Sequence, residues 1–455
     1  MNMKKTVLIK GGRIVDPKQN IDRIGNLYIE DGKIKGIIGG NAEADLVIDA
    51  SGKIVCPGFI DIHMHEDLYL PGEDCLETHM AKSALLMGVT TQIGGNCGEN
   101  VYPPDQYLDI LDRDGAAVNI GLLVGHTFLR DEEGRHDKYQ PVSREDLDKM
   151  VKSCENYLEA GCLGVSYGVK YIPGTTWEEI ISLAKLCHKD DKLVASHVRM
   201  DVEEVFASAE ELARICREAG VSVQFSHVGS MGGYGQMSRL LPQLQRYHDE
   251  GLDLLCDCYP YSAFSTVIGA TTYDEGFLDL YQEKDYSGIL IVNGKYAGQR
   301  CTKEIYDDLR ANAPDTATVA YFMKAEDIDM ALLSPLVMVG SDGLRKEGKG
   351  HPRASGTFPR FIKNYIKTGR IGIVEGLAKM TSMPAERLHL TTKGNLCVGS
   401  DADVTIFDLD EIADCATFEN GQIPPKGIDY VLIGGEIAAD HGRIVNDRLG
   451  KCIRR

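Results

Sequence analysis

Two histidines stand at the end of an apolar run near the start of the chain, Val55-Cys56-Pro57-Gly58-Phe59-Ile60-Asp61-Ile62-His63-Met64-His65. Alternate residues of a strand point the same way, so His63 and His65 carry their imidazoles past the strand end on one face. This spacing is typical of a pair of metal ligands. The plain alternative is a strand end that carries two solvated histidines.

Further side chains that can bind a metal or move a proton directly follow β-rich runs. They are Cys97, His197, His227 and Asp342. Any one of them alone is more often a structural residue than a ligand. Because imidazole, thiolate and carboxylate together form the ligand set of zinc, the group of six predicts a zinc site.

The elements that would position these residues repeat along the chain. Between residues 52 and 342, eight apolar strand-like runs alternate with amphipathic helical stretches such as 143–160, 176–189 and 202–219. The runs end near His65, Cys97, His126, Val169, Arg199, His227, Asp257 and Asp342. Eight such units predict an α/β fold, a (β/α)8 TIM barrel, in which functional residues lie at the C-terminal ends of the strands.

The two ends of the chain have a different sequence pattern from the central region. Both carry short strand-like pieces separated by Gly and Asp turns, so we predict that residues 1–55 and 395–455 form one composite β-sandwich domain. The barrel then covers residues 56–394. Within it, residues 262–314 have weak periodicity and many Tyr and Gly residues, which suggests an insertion that forms a lid over the strand ends.

The composition argues against some classes of binding partner. A formal net charge of -19 argues against nucleic acid, whose phosphates require clustered Lys and Arg. No apolar stretch reaches the roughly 18 residues of a membrane span. Thirteen cysteines without framework spacing suit reduced, buried thiols, so we expect a cytoplasmic protein. The sequence leaves open whether it forms a homo-oligomer.

Several long motifs, in order, resemble a known family over essentially the whole chain. The order strand-His-x-His, His, His and Gly-Ser-Asp-Gly is similar to the amidohydrolase superfamily. Four segments resemble its D-aminoacylase (N-acyl-D-amino-acid deacylase) branch: Gly94-Gly95-Asn96-Cys97-Gly98, residues 164–174, Asp257-Cys258-Tyr259-Pro260-Tyr261 and residues 351–360. The resemblance implies a zinc-dependent hydrolase of linear amide bonds that acts on N-acyl-D-amino acids.

The resemblance also implies roles for the candidate ligands. In that branch a cysteine replaces the carbamylated lysine of other members, and this role falls on Cys97. His197 and His227 would hold the tighter zinc with it. His63 and His65 would bind a second, weaker metal.

Three further residues would handle the substrate and the proton. Asp342 can act as general base on water and pass the proton to the departing nitrogen, since a metal site perturbs its pKa. Arg353 offers a planar fork for a carboxylate and Tyr171 a hydroxyl donor, so the resemblance places both at the substrate's α-carboxylate. A surface arginine and a strand-end tyrosine are the alternative for these two.

A different amidohydrolase site is the main rival. Lys170 could be a carbamylated bridging lysine, as in dihydroorotases and hydantoinases, and the substrate would then be a cyclic amide. Lys170 and Tyr171 are adjacent and point to opposite faces of an extended segment. If Lys170 bridges metals, Tyr171 cannot line the pocket in the same way. We rank this hypothesis second because Cys97 already supplies the anionic ligand.

A serine-hydrolase site has less support. Gly164-Val165-Ser166-Tyr167-Gly168 matches a nucleophile elbow, but the Pro and Gly that follow break the helix such an elbow requires. Cys256 and Cys258 flank Asp257 and are interpreted as packing thiols. The Gly-rich stretch 229–235 is interpreted as a mobile loop. A non-catalytic scaffold relative is a distinct class, although such a protein would be expected to lose ligands first.

The side-chain preference of the substrate stays open. Relatives commonly place a second His and a Lys just after the sixth-strand ligand, whereas here His227 is followed by Val228-Gly229-Ser230. The missing cation weakens the case for an acidic side chain such as that of N-acyl-D-glutamate.

Overall fold

The computed structural model describes residues 5–40, 42–67, 79–346 and 348–455. Its strands in chain order are β1 (Thr6–Asp16), β2 (Ile21–Glu30), β3 (Lys33–Ile38), β4 (Leu46–Asp49), β5 (Ile54–Pro57), β6 (Phe59–Asp61), β7 (Val89–Gly94), β8 (Asn119–Leu122), β9 (Val124–Gly125), β10 (Gly164–Gly168), β11 (Leu193–His197), β12 (Val223–Phe225), β13 (Leu254–Cys258), β14 (Phe264–Val267), β15 (Ile289–Ile291), β16 (Ala317–Ala320), β17 (Val337–Val339), β18 (Val404–Phe407), β19 (Ile428–Ile433), β20 (Glu436–Asp440) and β21 (Arg443–Ile444).

The helices lie mostly between the parallel strands. They are α1 (His79–Leu86), α2 (Pro104–Asp114), α3 (His126–Glu132), α4 (Arg144–Glu159), α5 (Trp177–His188), α6 (Val205–Ala219), α7 (Val228–Gly232), α8 (Met237–Asp249), α9 (Phe277–Leu280), α10 (Lys303–Asn312), α11 (Ala325–Leu333), α12 (Arg353–Phe361), α13 (Ile373–Ala378) and α14 (Ser382–Arg387). Among the described residues, no helix is both long and apolar enough to span a bilayer.

Eight parallel strand units form the barrel. The strands pair in the orders β17-β13-β12-β11-β10-β9 and β6-β7-β8. The first and last units meet at the seam, where Met64 bridges Gly343 in parallel register and the Asp342 amide donates to the His63 carbonyl at 2.7 Å. The predicted (β/α)8 barrel is confirmed.

Local sequence signals explain the outer helices well. The Ser143 side chain caps α4 by accepting from the Asp146 amide, and Thr176 opens α5 with a complete capping box whose other half is Glu179. Both helices begin within one residue of the predicted start. The stretch 229–235 differs, because its first residues belong to the buried helix α7 rather than to a mobile loop.

Strands from both ends of the chain lie in one sheet. Its main path runs β21-β20-β19-β18-β5-β1-β2-β3, and β4 pairs with β1. After β21 the chain leaves this sheet and runs beside β8 of the barrel. The Ile120 amide of β8 donates to the Lys451 carbonyl, and the Ile453 amide donates to the Ile120 carbonyl. The last residues therefore contact the barrel, and the domain limits at residues 55 and 395 stay a prediction.

A small antiparallel sheet interrupts the barrel after β13. Its strands are ordered β14-β16-β15, and it spans residues 264–320, slightly beyond the insertion predicted at 262–314. Residues of this insertion, including Thr266, Ala270 and Ala317, line the cleft at the strand ends. It forms one wall of the candidate site.

Candidate metal centre and active site

The six candidate ligands lie together in two overlapping groups at the C-terminal ends of the strands. One group contains Cys97, His197 and His227, and the other contains His63, His65, Cys97 and Asp342. In each group the potential ligand atoms lie within 4.8 Å of one another, and all six residues are buried. Cys97 belongs to both groups.

The Cys97 sulfur lies at the centre of this cluster. Its Sγ is 3.4 Å from His227 Nε2 and 3.5 Å from His63 Nε2. On the far side, Asp342 Oδ1 is 3.3 Å from His65 Nε2 and 3.7 Å from His63 Nε2. The two groups of candidate ligands therefore lie side by side, and the Cys97 thiolate belongs to both.

Three ligand-type residues have left-handed backbone conformations. The φ angles of Cys97, His227 and Asp342 are 55°, 36° and 49°. Such angles are strained for residues with a side chain, and they cluster at functional sites in proteins. Each residue closely follows the end of its strand, so the turn aims its side chain across the barrel mouth.

The glycines around Cys97 allow its loop to pack against neighbouring backbone. A Cβ atom at Gly168 would lie 2.1 Å from the Cys97 carbonyl oxygen, and one at Gly95 would lie 2.0 Å from the Leu123 carbonyl oxygen. Gly95 also has a φ of 74°. The close packing of the backbone thus explains why the Gly94-Gly95-Asn96-Cys97-Gly98 motif is rich in glycine.

The electrostatics of the cluster favour a thiolate and a neutral imidazole. Burial opposes ionisation of the Cys97 thiol, but the His63 and His227 rings beside it hold its pKa well below the ordinary range. Burial lowers the pKa of His197 to about 4. A deprotonated sulfur and an unprotonated imidazole are the forms that bind metal.

Burial would raise the pKa of Asp342, but the adjacent Arg353 guanidinium holds it well below its usual range. The carboxylate is therefore ionised. Burial opposes protonation of His65, yet its bond to Asp342 raises its pKa to about 10. The protonated His65 ring donates to the carboxylate at 3.3 Å.

The donor set fits zinc. Neither ring nitrogen of buried His197 has a hydrogen-bond partner among the described residues. Buried polar atoms are rarely left unpaired without a ligand or an ion. One thiolate and two imidazoles form a zinc ligand set with room for a fourth ligand.

Ser230, whose side chain contacts the candidate ligand His227, was not identified from the sequence. Its Oγ is 2.8 Å from His227 Nδ1 and 3.0 Å from the His227 carbonyl oxygen. Because the hydroxyl has one proton, which the carbonyl accepts, Oγ can accept from Nδ1. The pairing fixes the ring so that Nε2 faces Cys97 and is the nitrogen available to a metal. Only its position three residues after a candidate ligand hinted at this role.

The cleft beside the metal ligands has a volume of about 300 Å³ and is lined by Tyr171, Asp342 and Arg353. Arg353 is buried, its Nη1 lies 2.9 Å from Asp342 Oδ2, and its guanidinium stacks on Tyr259 at 4.6 Å. The Tyr171 ring is centred 4.4 Å from that of His197. Arg353 is thus no surface residue, and both predicted substrate contacts face the ligands.

The premise that Lys170 and Tyr171 face opposite ways is wrong. Residues 169–171 form a turn, closed by the Tyr171 amide donating to the Gly168 carbonyl, and both side chains line an inner chamber of about 20 Å³. Lys170 Nζ lies 2.6 Å from Asp201 Oδ2 and is held in an ion pair. A carbamate on Lys170 would place a negative charge against that carboxylate.

We therefore expect zinc binding that does not depend on carbon dioxide. Removing bicarbonate during metal loading should leave the zinc content and the turnover within about twofold of the bicarbonate-supplemented protein, because Lys170 is paired with Asp201 and Cys97 supplies the anionic ligand. Elemental analysis and an activity assay on paired samples would measure this. Zinc content that rises several-fold with bicarbonate would support the bridging-lysine hypothesis instead.

Known proteins resemble this chain over its full length. It is 31% identical to the D-aminoacylase of Alcaligenes xylosoxydans xylosoxydans, over 99% of this chain and 97% of that relative. The chain belongs to the D-aminoacylase branch of the amidohydrolase family. Residues 335–439 also match the family described as "Amidohydrolase family". The predicted resemblance is confirmed.

Solved structures of other members of the D-aminoacylase branch share its architecture. An N-acyl-D-glutamate deacylase from Bordetella bronchiseptica, complexed with zinc and a phosphonate mimic of the tetrahedral intermediate, is 28% identical with a TM-score of 0.86. A D-aminoacylase whose binuclear metal centre is described by one-metal activation and second-metal attenuation is 26% identical with a TM-score of 0.88. Each comparison covers 99% of both chains.

Proposed function

We propose that this protein is a zinc-dependent hydrolase of the linear amide bond of N-acyl-D-amino acids, which releases a carboxylate and a free D-amino acid. The observation that carries the proposal is the convergence of Cys97, His197 and His227 in one ligand group, beside the cleft that Asp342 and Arg353 line. The full-length relatives named as D-aminoacylase and N-acyl-D-glutamate deacylase support the same substrate class.

The zinc would be held by Cys97, His197 and His227, and a second, weaker ion by His63, His65, Cys97 and Asp342. When bound, zinc lowers the pKa of water toward about 7 and polarises the amide carbonyl. The left-handed turns at Cys97 and His227 fix both side chains before substrate arrives. This arrangement reduces the reorganisation required during the reaction.

Asp342 has the position and charge to move the proton. Its carboxylate is ionised and its Oδ1 faces the ligand cluster, so it can accept a proton from the attacking water. The same group can then donate that proton to the departing nitrogen, which must leave as an amine.

Arg353 and Tyr171 would hold the α-carboxylate of the substrate. Arg353 Nη1 pairs with Asp342 Oδ2, so the arginine is directed toward the reacting groups. Arg353 Nε and Nη1 have no hydrogen-bond partner among the described residues, so a substrate carboxylate would satisfy them through charge-assisted hydrogen bonds. Fixing this end of the substrate places the amide beside the metal ligands.

The activity is tested directly with matched substrates. Zinc-loaded protein is given N-acetyl-D-amino acids, their L-enantiomers and cyclic amides of the hydantoin and dihydroorotate types. We expect turnover confined to the D-enantiomers. Turnover only of cyclic amides would overturn the proposal in favour of a hydantoinase-like reaction, and loss of all activity despite bound zinc would favour a scaffold.

Replacing Arg353 by alanine should reduce kcat/KM for N-acyl-D-amino acids by about 100-fold or more. The reason is that truncating one partner of a buried charged pair costs roughly 2–5 kcal/mol. Steady-state kinetics on zinc-matched samples would measure the loss.

Arg370→Ala is the matched control for this substitution. Arg370 also stacks on a tyrosine, Tyr365, and pairs with an aspartate, Asp329, but it lies outside the cleft. We expect it to stay within about threefold of wild type. Equal kcat/KM in the Arg353 variant and wild type would remove Arg353 from the carboxylate role.

The cysteines of the described residues are all free, and most are buried, which supports a reducing compartment such as the cytoplasm. The substrate is a small molecule, and residues of this chain line the cleft.

A further inference from the structure

One buried carboxylate lies behind the ligand cluster, outside the cleft. Asp257 is the central residue of the Cys256-Asp257-Cys258 segment at the end of β13, and it is 1% exposed. The two flanking thiols point to the opposite face and pack in the main hydrophobic cluster. The aspartate alone faces the barrel interior.

Asp257 touches ligand residues from two different strands. Its Oδ1 lies 3.1 Å from His63 Nδ1 and accepts a hydrogen bond of 2.7 Å from the His227 amide. Its other oxygen accepts from Gln224 Nε2 at 3.0 Å. One carboxylate thus contacts a side chain of the second ligand group and the backbone of the first.

The contact leaves the metal-facing nitrogen of His63 free for a ligand role. His63 Nε2 faces Cys97 and Asp342, and its Nδ1 faces Asp257. The approach of 3.1 Å is an ion-pair contact, since Nδ1 makes no hydrogen bond among the described residues. The charge of the carboxylate therefore acts on the ring electrostatically and raises its basicity as a ligand. The His227 bond has a second effect, since it supports a residue whose φ is 36°.

Gly340 makes room for this arrangement. A Cβ atom at this position, directly after β17, would lie 3.0 Å from His63 Cβ and 3.3 Å from Asp257 Oδ1. Both distances are tighter than ordinary van der Waals contact. The site is therefore built so that Asp257 and His63 can approach across the barrel.

We propose that Asp257 is a positioning residue that joins the two metal groups, holding His63 by its side chain and His227 by its backbone. The inference rests on the proposed function only in taking zinc as the metal. It predicts that the second, weaker zinc depends on Asp257 through the carboxylate charge. Both zinc ions depend on it through the position of the acceptor oxygen.

Two substitutions separate charge from position. Asp257→Asn keeps an acceptor oxygen for His227, and rotation of the Gln224 amide can satisfy the new amide because Gln224 Oε1 has no hydrogen-bond partner among the described residues. Asp257→Ala removes the acceptor altogether. We expect the Asn variant to lose about 10-fold in affinity for the second zinc and the Ala variant to lose about 10- to 100-fold at both sites.

The measurement is stepwise zinc binding to metal-free full-length protein, by chelator competition with elemental analysis. Asp403→Asn is the matched control, since Asp403 is another buried, hydrogen-bonded carboxylate, distant from the cluster. It should bind zinc as wild type does. Gly340→Ala should weaken the second zinc in the same way as Asp257→Asn.

The outcomes are distinct. Zinc affinities within about threefold of wild type in Asp257→Asn and Gly340→Ala would overturn the inference, even if Asp257→Ala fails to fold. Equal losses in Asp257→Asn and Asp403→Asn would overturn it as well, because they would show a general effect of destabilisation. A wild-type protein that binds no zinc would instead refute the proposed function.

Discussion

Replacing Asp342 by asparagine is expected to reduce kcat for N-acyl-D-amino acids by about 10²- to 10⁴-fold while zinc stays bound at Cys97, His197 and His227. The range is that of a lost general acid–base catalyst. The amide keeps the size of the carboxylate and an oxygen facing His65, but it cannot accept the proton of water at neutral pH. Zinc content and steady-state rates measured on one preparation would give both numbers.

Asp327→Asn is the control for this substitution. Asp327 is a buried carboxylate that accepts from the Gly235 amide, and it lies away from the ligand cluster. Its variant should turn over substrate at a rate close to wild type. An Asp342→Asn enzyme with unimpaired kcat would exclude Asp342 as the base.

The second large effect is expected from Cys97→Ala. Because Cys97 is common to both ligand groups, its loss removes the shared thiolate from each. Changing a residue that merely supports a ligand typically costs 10- to 100-fold in metal affinity, so losing the ligand itself should cost at least about 100-fold. Activity should fall with zinc content in a titration.

Cys187→Ala serves as the comparison, since this buried thiol lies in α5 and only donates weakly to the Leu193 carbonyl. We expect full zinc binding and nearly full activity. If Cys97→Ala bound two zinc ions with wild-type affinity, a centre built on a shared thiolate would be wrong.

The barrel and the cluster are predictable from the sequence because their signals are local and additive. Each of the eight strand runs is followed by its own functional or structural residue, and parallel strands bring those residues to one face. The helix caps at Ser143 and Thr176 are likewise recognisable from a few residues. Six ligand-type side chains can therefore be named without knowing how the strands pair.

Other features depend on conformations that residue type does not encode. Nothing in the sequence predicts left-handed backbone at Cys97, His227 or Asp342, since such angles are unfavourable for these residues and are imposed by tertiary packing. Lys170 lies in a turn rather than in an extended segment for a similar reason. Its turn is closed by contacts that the alternation of residues cannot reveal.

Contacts between distant segments are also out of reach of sequence patterns. The local sequence indicates only that Asp257 lies between packing thiols, because its partners, His63 and His227, belong to other strands. Likewise, nothing near Arg353 distinguishes it from a surface arginine, although it is 3% exposed and pairs with Asp342. The hydrophobic periodicity identifies the strand that carries a side chain, but it does not identify the residues that this side chain contacts.

Because the barrel closes at the seam between its first and last strands, the two ligand groups become complete at different stages of synthesis. All members of the first group, Cys97, His197 and His227, have left the ribosome before the last barrel strand is made. The second group is completed by Asp342, whose amide donates to the His63 carbonyl to close the barrel. The residues of the first group are therefore all present in the nascent chain before the last strand is made. The second group forms only when the last strand pairs with the first and closes the barrel.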